Sequence, residues 1–450
     1  MKTKKRRLEF ISFYDHTGLE KHFTEMAKKG WLIEAISNLY WTYRKIEPRE
    51  LRFCVTYYPR ASDFDPEPTE GQQRLLDFCA HTGWKLCCTW FQMQVFYNEQ
   101  ETPIPLETDP VLEVETLHKA CKKNFLPSHF LLATMGLLLG GYFVANVAHD
   151  PIGVLSQSSR ILTGIAWLCM LLISGVELIA YFLWHRKAVK MAQDGLFVDT
   201  VSTSRFQMGI MVFLLLAVAW WLTNLFAADD PLLFWVAVLM LTYTVGLMLL
   251  VNGIKKALKK AKASRGTNKV LTVIACFVLS FAMTGIATAI ALPAMNSGIL
   301  AREPKTDAVP LSLSDLTDRD PDGLREQIRH NETVLLGQRT VTQQLSQTTA
   351  FPGEASFLMY TVTTVKVPAF YQWCKGQYLD GDLTGVRSQV QYTLAEAEPW
   401  GAEEAYRQLD ENGNPKTSFL LFYERTIVLI HLDWEPTRSQ MTVVGQKLGS

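Results

Sequence analysis

Five apolar runs lie between Lys123 and Pro293, and nothing else in the chain restricts its fold as strongly. Each is close to the ~20 residues that a helix needs to cross a bilayer core. A water-soluble helix of that length carries a polar stripe down one side, and these runs carry none. Spans are therefore expected at 128–147, 161–184, 206–226, 232–251 and 270–292, which makes a five-helix transmembrane bundle. Bulk composition hides this: 48% hydrophobic residues and a net charge of zero would suit a soluble protein of 450 residues. The apolar residues are concentrated in the middle, and the two flanks read as soluble domains.

Basic residues between the runs set the expected orientation, because Lys and Arg favour the cytoplasmic side. Lys119, Lys122 and Lys123 precede the first run. Arg186, Lys187, Lys190 and Arg205 separate the second from the third. Lys255, Lys256, Lys259, Lys260, Lys262, Arg265 and Lys269 separate the fourth from the fifth. These fourteen face three on the other side, Arg160, Arg302 and Lys305. The expected location is the cell membrane, multi-pass, with a cytoplasmic N-terminus and an extracytoplasmic C-terminus. Trp184, Trp220, Trp221 and Trp235 sit near span ends and are expected to act as interfacial anchors. The N-terminal MKTKKRRLEF is basic but has no apolar run behind it, so it does not read as a secretory signal. Cys54, Cys79, Cys87, Cys88 and Cys121 precede the spans and only Cys374 follows them, which suits a reduced N-terminal side. No C-x-x-C occurs, and no metal or cofactor is expected.

Three features inside or beside the spans are candidates for chemistry. Glu177 is the one acid well inside a span, where an ionisable group is costly and marks a functional site by default. Ser174, or His129 at matching depth on the first span, could hold it, so Glu177 and His129 form the candidate intramembrane polar site. Lys255, Lys256, Lys259 and Lys260 form a candidate contact with anionic lipid headgroups, set against a plain topology signal. Nucleic acid is not expected there, since no aromatic residues are interleaved. Gly136, Gly140 and Gly141 would allow close helix contact.

Residues 1–105 read as a duplicated β-α-β-β domain of α+β class, with helices on one face of its sheet. The first copy is a strand at Leu8–Tyr14, a helix at Gly18–Lys29, and strands at Leu32–Ala35 and Tyr40–Ile46. The second is a strand at Leu51–Tyr58, a helix at Gly71–His81, and strands at Lys85–Trp90 and Met93–Tyr97. Both helices end in Gly-Trp, at Gly30–Trp31 and Gly83–Trp84. Glycine supplies the left-handed stop and tryptophan opens the next strand. A linker is expected at 106–127.

The segment KHFTEMAKKGW (Lys21–Trp31), with Tyr14–Asp15 before it and Glu20 and Glu25 within reach, is followed by Tyr43 to Pro48. A second Gly-Trp then precedes Gln94–Val95–Phe96. This set resembles the bacterial membrane-protein family called domain of unknown function twenty-eight-twelve, over about the first hundred residues. The resemblance implies a cytosolic N-terminal domain followed by several spans, a Gram-positive origin and frequent linkage to PadR-like repressors. It implies no activity and no catalytic residue. Residues 59–70 form a longer spacer than the family pattern has.

After a linker at 294–308, residues 309–450 read as an extracytoplasmic α+β domain. From residue 296 onward there are 20 acidic and 14 basic side chains, which predicts an acidic surface. Strands are expected at Glu332–Val341, Ala355–Val367, Arg387–Leu394, Ser418–Tyr423 and Thr426–Leu432, with a hairpin turn at Gly413. Helices are expected at Asp322–His330, Pro368–Tyr378 and Ala402–Leu409. The run Asp318 to Gly323 imitates the start of a calcium loop but has Arg329 where the bidentate Glu belongs. His330, His431 and Asp433 have no nucleophile in recognisable context, and no P-loop, H-E-x-x-H or G-x-S-x-G is present.

These readings favour a non-enzymatic membrane protein that senses or recruits a partner, with the bilayer and a cytoplasmic protein as partners. The alternative is a transport or immunity accessory for a membrane-active peptide or small molecule. Glu177 motivates it, and five spans would then require a homo-oligomer.

Overall fold

The computed structural model describes residues 3–37, 40–227, 231–296, 309–317, 324–345, 356–380 and 391–449. The chain forms two compact units, one of Met1–Leu137 with Trp167–Ala301, the other of Leu138–Ala166 with Arg302–Ser450.

The first unit begins with β1 (Lys4–Arg7), α1 (His16–Lys28), β2 (Trp31–Ala35) and β3 (Trp41–Lys45), then β4 (Arg52–Tyr57), α2 (Glu70–His81), β5 (Lys85–Trp90) and β6 (Met93–Asn98). The duplication is visible in the pairing: the strand orders are β1-β3-β2 and β4-β6-β5, all antiparallel. Each copy makes its own three-stranded sheet, so the single sheet expected for the domain is two. The first strand is also misplaced by the sequence. It lies at Lys4–Arg7, and Leu8–Tyr14 is not a strand. Phe13 and Tyr14 are buried without belonging to a strand, Phe13 against Tyr57 of β4 and Trp90 of β5, and Tyr14 against Phe125 and Tyr181.

Gly30 and Gly83 stop α1 and α2 in the left-handed region, at φ 80° and 84°. An L-residue there is strained, and at Gly30 a Cβ would also stand 3.0 Å from the Ile46 carbonyl oxygen. We expect Gly30→Ala to lower stability by about 1–2 kcal/mol, read as a lower thermal midpoint in detergent micelles. An unchanged midpoint would remove the left-handed stop from the account. The partner Trp84 is buried, and its Nε1 donates to the Ile104 carbonyl at 2.9 Å.

Next come α3 (Pro110–Cys121) and α4 (Phe125–His149), which occupy much of the expected linker. Asp109 caps α3, its side chain accepting from Val111 N, with Pro110 at the first turn. This is the N-terminal arrangement that orphaned helix N–H groups favour. Helices α6 (Ser158–Gln193), α7 (Ser204–Ala227), α8 (Pro231–Lys260) and α9 (Arg265–Asn296), with α4, correspond to the five apolar runs. Among the described residues, five helices are long and apolar enough to cross a membrane. Their large apolar side chains, such as Leu131, Leu216, Leu249, Phe277 and Phe281, are exposed, a surface that water does not tolerate at this extent. Gly136 lets α4 approach α6, since a Cβ there would meet Leu171 Cβ at 2.8 Å.

At 36 residues α6 is about 54 Å long, well beyond a hydrocarbon core of about 30 Å. Its last turns therefore project past the apolar run. Tyr181, Trp184, Ala188 and Ala192 there join one continuous core with Leu117 and Cys121 of α3 and Tyr14, Leu19 and Phe23 near α1. Trp184 is 2% exposed and donates its Nε1 to the Val198 carbonyl at 3.2 Å. It is thus a core residue rather than the interfacial anchor its position suggested.

The second unit includes α5 (Pro151–Leu155), between α4 and α6, then α10 (Leu313–Leu316), β7 (Leu324–Glu332), β8 (Leu336–Leu345), β9 (Phe357–Val365) and α11 (Tyr371–Leu379). It closes with β10 (Tyr392–Ala395), β11 (Glu404–Leu409), β12 (Pro415–Phe422), β13 (Thr426–Leu432) and α12 (Arg438–Leu448). One antiparallel sheet runs β10-β11-β12-β13-β9-β8-β7. Alternation splits β12 between two cores. Phe419 and Leu421 face the side covered by α10 and α12, while Leu420 and Phe422 face α5 and α11. Two expected helices are strands: residues 324–332 form β7 and residues 404–409 form β11. Neither has a helical apolar stripe. β11 alternates Ala405 and Arg407 against Tyr406, and cross-strand pairing with β12 decides its state. The turn at Gly413 is present, at φ 82°. Asp318–Gly323, the calcium-like run, lies outside the described residues.

Candidate functional site

The chain from Ser12 to Lys21 is held by a row of hydrogen bonds to the α6–α7 connection. Tyr14 Oη donates to the Val201 carbonyl at 2.9 Å, and Thr17 Oγ1 accepts from Thr200 N at 3.0 Å. Lys21 meets Asp199 at 2.7 Å. The row ends on Glu177, which is 1% exposed. Its carboxylate accepts hydrogen bonds from Ser12 Oγ, Thr203 Oγ1 and Gln207 Nε2. The intramembrane candidate is therefore a buried junction between the N-terminal segment, α6 and α7. Neither expected partner takes part. Ser174 Oγ is buried without a partner, and His129 Nδ1 lies 2.8 Å from the carbonyl oxygen of Phe125 on its own helix. No sequence signal pointed to Ser12, because it lies 165 residues away in a segment that read as a strand.

A second attachment uses the long spacer. Asp63 pairs with Lys255 at 2.8 Å, Glu67 with Lys262 at 2.7 Å and Asp65 with Arg265 at 3.4 Å. Asn268 Nδ2 donates to the Phe64 carbonyl at 3.3 Å. The acidic spacer thus lies along the basic α8–α9 connection. Of the candidate lipid contacts, Lys255 is taken by Asp63. Among the described residues Lys256, Lys259 and Lys260 have no acidic partner. Such part-exposed pairs contribute little each, so the set acts as a positioning device more than a source of stability.

Between α1, β4, α3 and residues 103–108 there is a cavity of about 670 Å³. His16 Nε2 lies 2.7 Å from Glu113 Oε1. Glu20 Oε1 accepts from Val55 N at 2.8 Å, and Glu107 accepts from Thr56 Oγ1. Burial pushes the Glu20 carboxyl up to about 7; Glu113 and Glu107 add to the rise, and His16 and the Val55 N–H oppose it. Burial also raises Glu107, against the Thr56 hydrogen bond. For His16, burial pulls the pKa down, but the hydrogen-bonded Glu113 carboxylate outweighs it and the net shift is upward. None of these four residues was a candidate in the sequence. They are separated in the chain, and only Glu20 was named there, as part of the family signature.

Two of these shifts predict a pH dependence. A carboxyl raised on folding keeps a proton that the unfolded chain has lost, so its contribution falls as pH rises from the ordinary carboxylate range to about 7. A raised histidine stabilises below its ordinary value, and that contribution is lost as pH rises through its folded value. Both act in the same direction. The thermal midpoint in micelles should fall between about pH 5 and pH 8, and Glu20→Gln should flatten the lower part of that change. A midpoint that rises over this range would contradict the assignment.

The remaining candidates stay apart. In the second unit His431 Nδ1 lies 2.7 Å from Ser418 Oγ, Asp433 accepts from Ser356 N at 3.1 Å, and His330 pairs with Glu332 at 3.2 Å. Burial lowers the His431 pKa. All eight cysteines are free, and among the described residues no three His, Cys, Asp or Glu converge closely enough to hold a metal ion.

Residues 15–130 match the family described as Protein of unknown function (DUF2812). The match runs from the cap of α1 into α4 and includes both Gly-Trp pairs and the cavity residues His16, Glu20, Glu107 and Glu113. No curated protein and no solved structure matches the chain.

Proposed function

We propose that this chain, with its DUF2812 domain at residues 15–130, is a multi-pass protein of the bacterial cell membrane that senses or recruits a partner and performs no catalysis itself. The observation that carries the reading is the Glu177 junction, through which a soluble domain is fastened to two apolar helices inside their buried interior. A domain held this way can pass a change in its own packing to the helices, or the reverse. A loosely tethered domain cannot.

The expected sidedness gains support from which connections each domain touches. The N-terminal domain meets the α6–α7 and α8–α9 connections, which carry eleven of the basic residues that set orientation. The C-terminal domain meets the connection between α4 and α6, which holds Arg160 as its one basic residue. Thr333 Oγ1 donates there to the Leu155 carbonyl at 2.7 Å. In this reading the N-terminal domain is cytoplasmic and binds a cytoplasmic protein, and the C-terminal domain is outside. The transport alternative rested on Glu177, and that side chain is committed to the junction.

Reporter fusions test the arrangement. Alkaline phosphatase should be active when fused after Ser450 and silent when fused before Met1, and the reverse pattern would sink the topology. A cytoplasmic protein recovered with the intact chain should be lost when residues 1–100 are deleted. Retention of that protein would argue against recruitment by this domain.

A further inference from the structure

We propose that the cavity beside His16 binds a small organic cation, a protonated amine carried on an apolar or aromatic body. The inference goes beyond the coupling role and does not rest on it.

The chamber has the size of a ligand site, since pockets for small molecules run from about 300 to 1,000 Å³. Its walls are mainly apolar, with the rings of Phe53, Tyr57 and Trp84 among them. Such rings attract a cation placed over their faces. Against these walls stand Glu20, Glu107 and Glu113. Glu20 and Glu107 each use one carboxylate oxygen on the protein, on Val55 N and Thr56 Oγ1. Among the described residues the second oxygen of each has no hydrogen-bond partner. His16 is 7% exposed, lines the same chamber, and its Nδ1 is buried without a partner. With its Nε2–H on Glu113, the neutral ring offers Nδ1 as an acceptor to an N–H of the occupant, and a buried polar atom left unpaired costs about 1–3 kcal/mol. The other charged groups at the chamber are the His16 ring when protonated, offset by Glu113 at 2.7 Å, Arg52, whose Nε donates to the Glu101 carbonyl, and Asp199, paired with Lys21.

These observations select the class of ligand. An anion would meet three carboxylates. A bare metal ion would need ligands that converge, and among the described residues they do not. An ammonium group with several N–H donors can reach carboxylates that are spread apart, while its hydrocarbon part covers the apolar wall. Phe197, Val198 and Asp199 of the α6–α7 connection also line the chamber, so an occupant would touch the segment that leads to Glu177.

Calorimetry on the full chain in detergent micelles tests this with 2-phenylethylamine, its neutral counterpart 2-phenylethanol and the anion phenylacetate. The amine should bind at least about tenfold more tightly than the alcohol, the equivalent of one favourable charge contact, and phenylacetate should not bind. Binding at pH 7 should release protons, seen as a heat that changes with the buffer's ionisation enthalpy, because the cation favours the charged forms of Glu20 and Glu107. Glu107→Gln should weaken the amine about tenfold and leave the alcohol unchanged. The thermal midpoint of each protein guards against misfolding. If a variant does not fold, the comparison of amine with alcohol on the unaltered chain decides alone. Equal binding of amine and alcohol, proton uptake, or no amine binding at millimolar concentration would overturn the proposal.

Discussion

Replacing Glu177 with alanine should free the N-terminal domain from α6 and α7, at a cost of about 3 kcal/mol or more. The carboxylate is buried and accepts from Ser12, Thr203 and Gln207. Removing it takes away the acceptor that all three share; Ser12, Thr203 and Gln207 keep only the bonds of about 3.1 Å among themselves, too few for their buried donors, and that penalty exceeds the small net gain of any one hydrogen bond. The nearest reporter is the Thr200 amide, which donates to Thr17 Oγ1 at 3.0 Å. Hydrogen exchange at residues 198–203 and 12–19 should accelerate strongly in the alanine variant. Glu177→Gln keeps the length and one acceptor oxygen and should show a smaller change. Equal protection in all three proteins would mean that the junction carries no load, and the coupling role would go with it.

The second large effect is expected in the other unit. Trp400 is 1% exposed, and its ring centroid lies 5.0 Å from that of Phe419. Its carbonyl accepts from Tyr423 Oη at 3.1 Å. Helix α12 crosses directly over it at Gly445, where a Cβ would collide with the Trp400 carbonyl oxygen. Trp400→Ala opens a void that rigid sheet residues cannot close, and about 3–5 kcal/mol should be lost. The C-terminal domain should unfold at a lower temperature in calorimetry of the full chain, with α12 the first element to lose exchange protection. A midpoint matching the unaltered protein would show that α12 and the sheet do not share one core.

The parts legible in the sequence were those with a strong local cause. Apolar runs of bilayer length became helices, with ends extended by polar turns such as Arg186 to Gln193 that hydropathy does not count. Gly30 and Gly83 could be read because only a residue without a Cβ occupies that backbone region easily. The second copy of the duplicated domain was legible almost residue by residue, since β4, β5 and β6 are strongly apolar and bounded by clear turns. In the first copy the helix and the last two strands were legible too, and only the opening strand was not. Lys4–Arg7 is entirely basic, and its place beside β3 comes from pairing alone. Residues 404–409 and 324–332 failed for the same reason: their strand state is imposed by neighbours across the sheet.

Glu177 shows the division most clearly. Its cost in an apolar helix was evident from the chain, and so was the need for a partner. Which partner could not be read, because Ser12, Thr203 and Gln207 come from two distant segments. The cavity carboxylates are a stronger case, since nothing local marks Glu20 or Glu107 and their protons are shifted by burial and by neighbouring charges, which only the packed chain brings about. Hydrophobic run length, helix stops and charge asymmetry are properties of neighbours along the chain, so the amino-acid order alone determined them. Junctions, cavities and the pairing of weak strands depend on which distant groups meet away from water, and that was decided only when the chain packed.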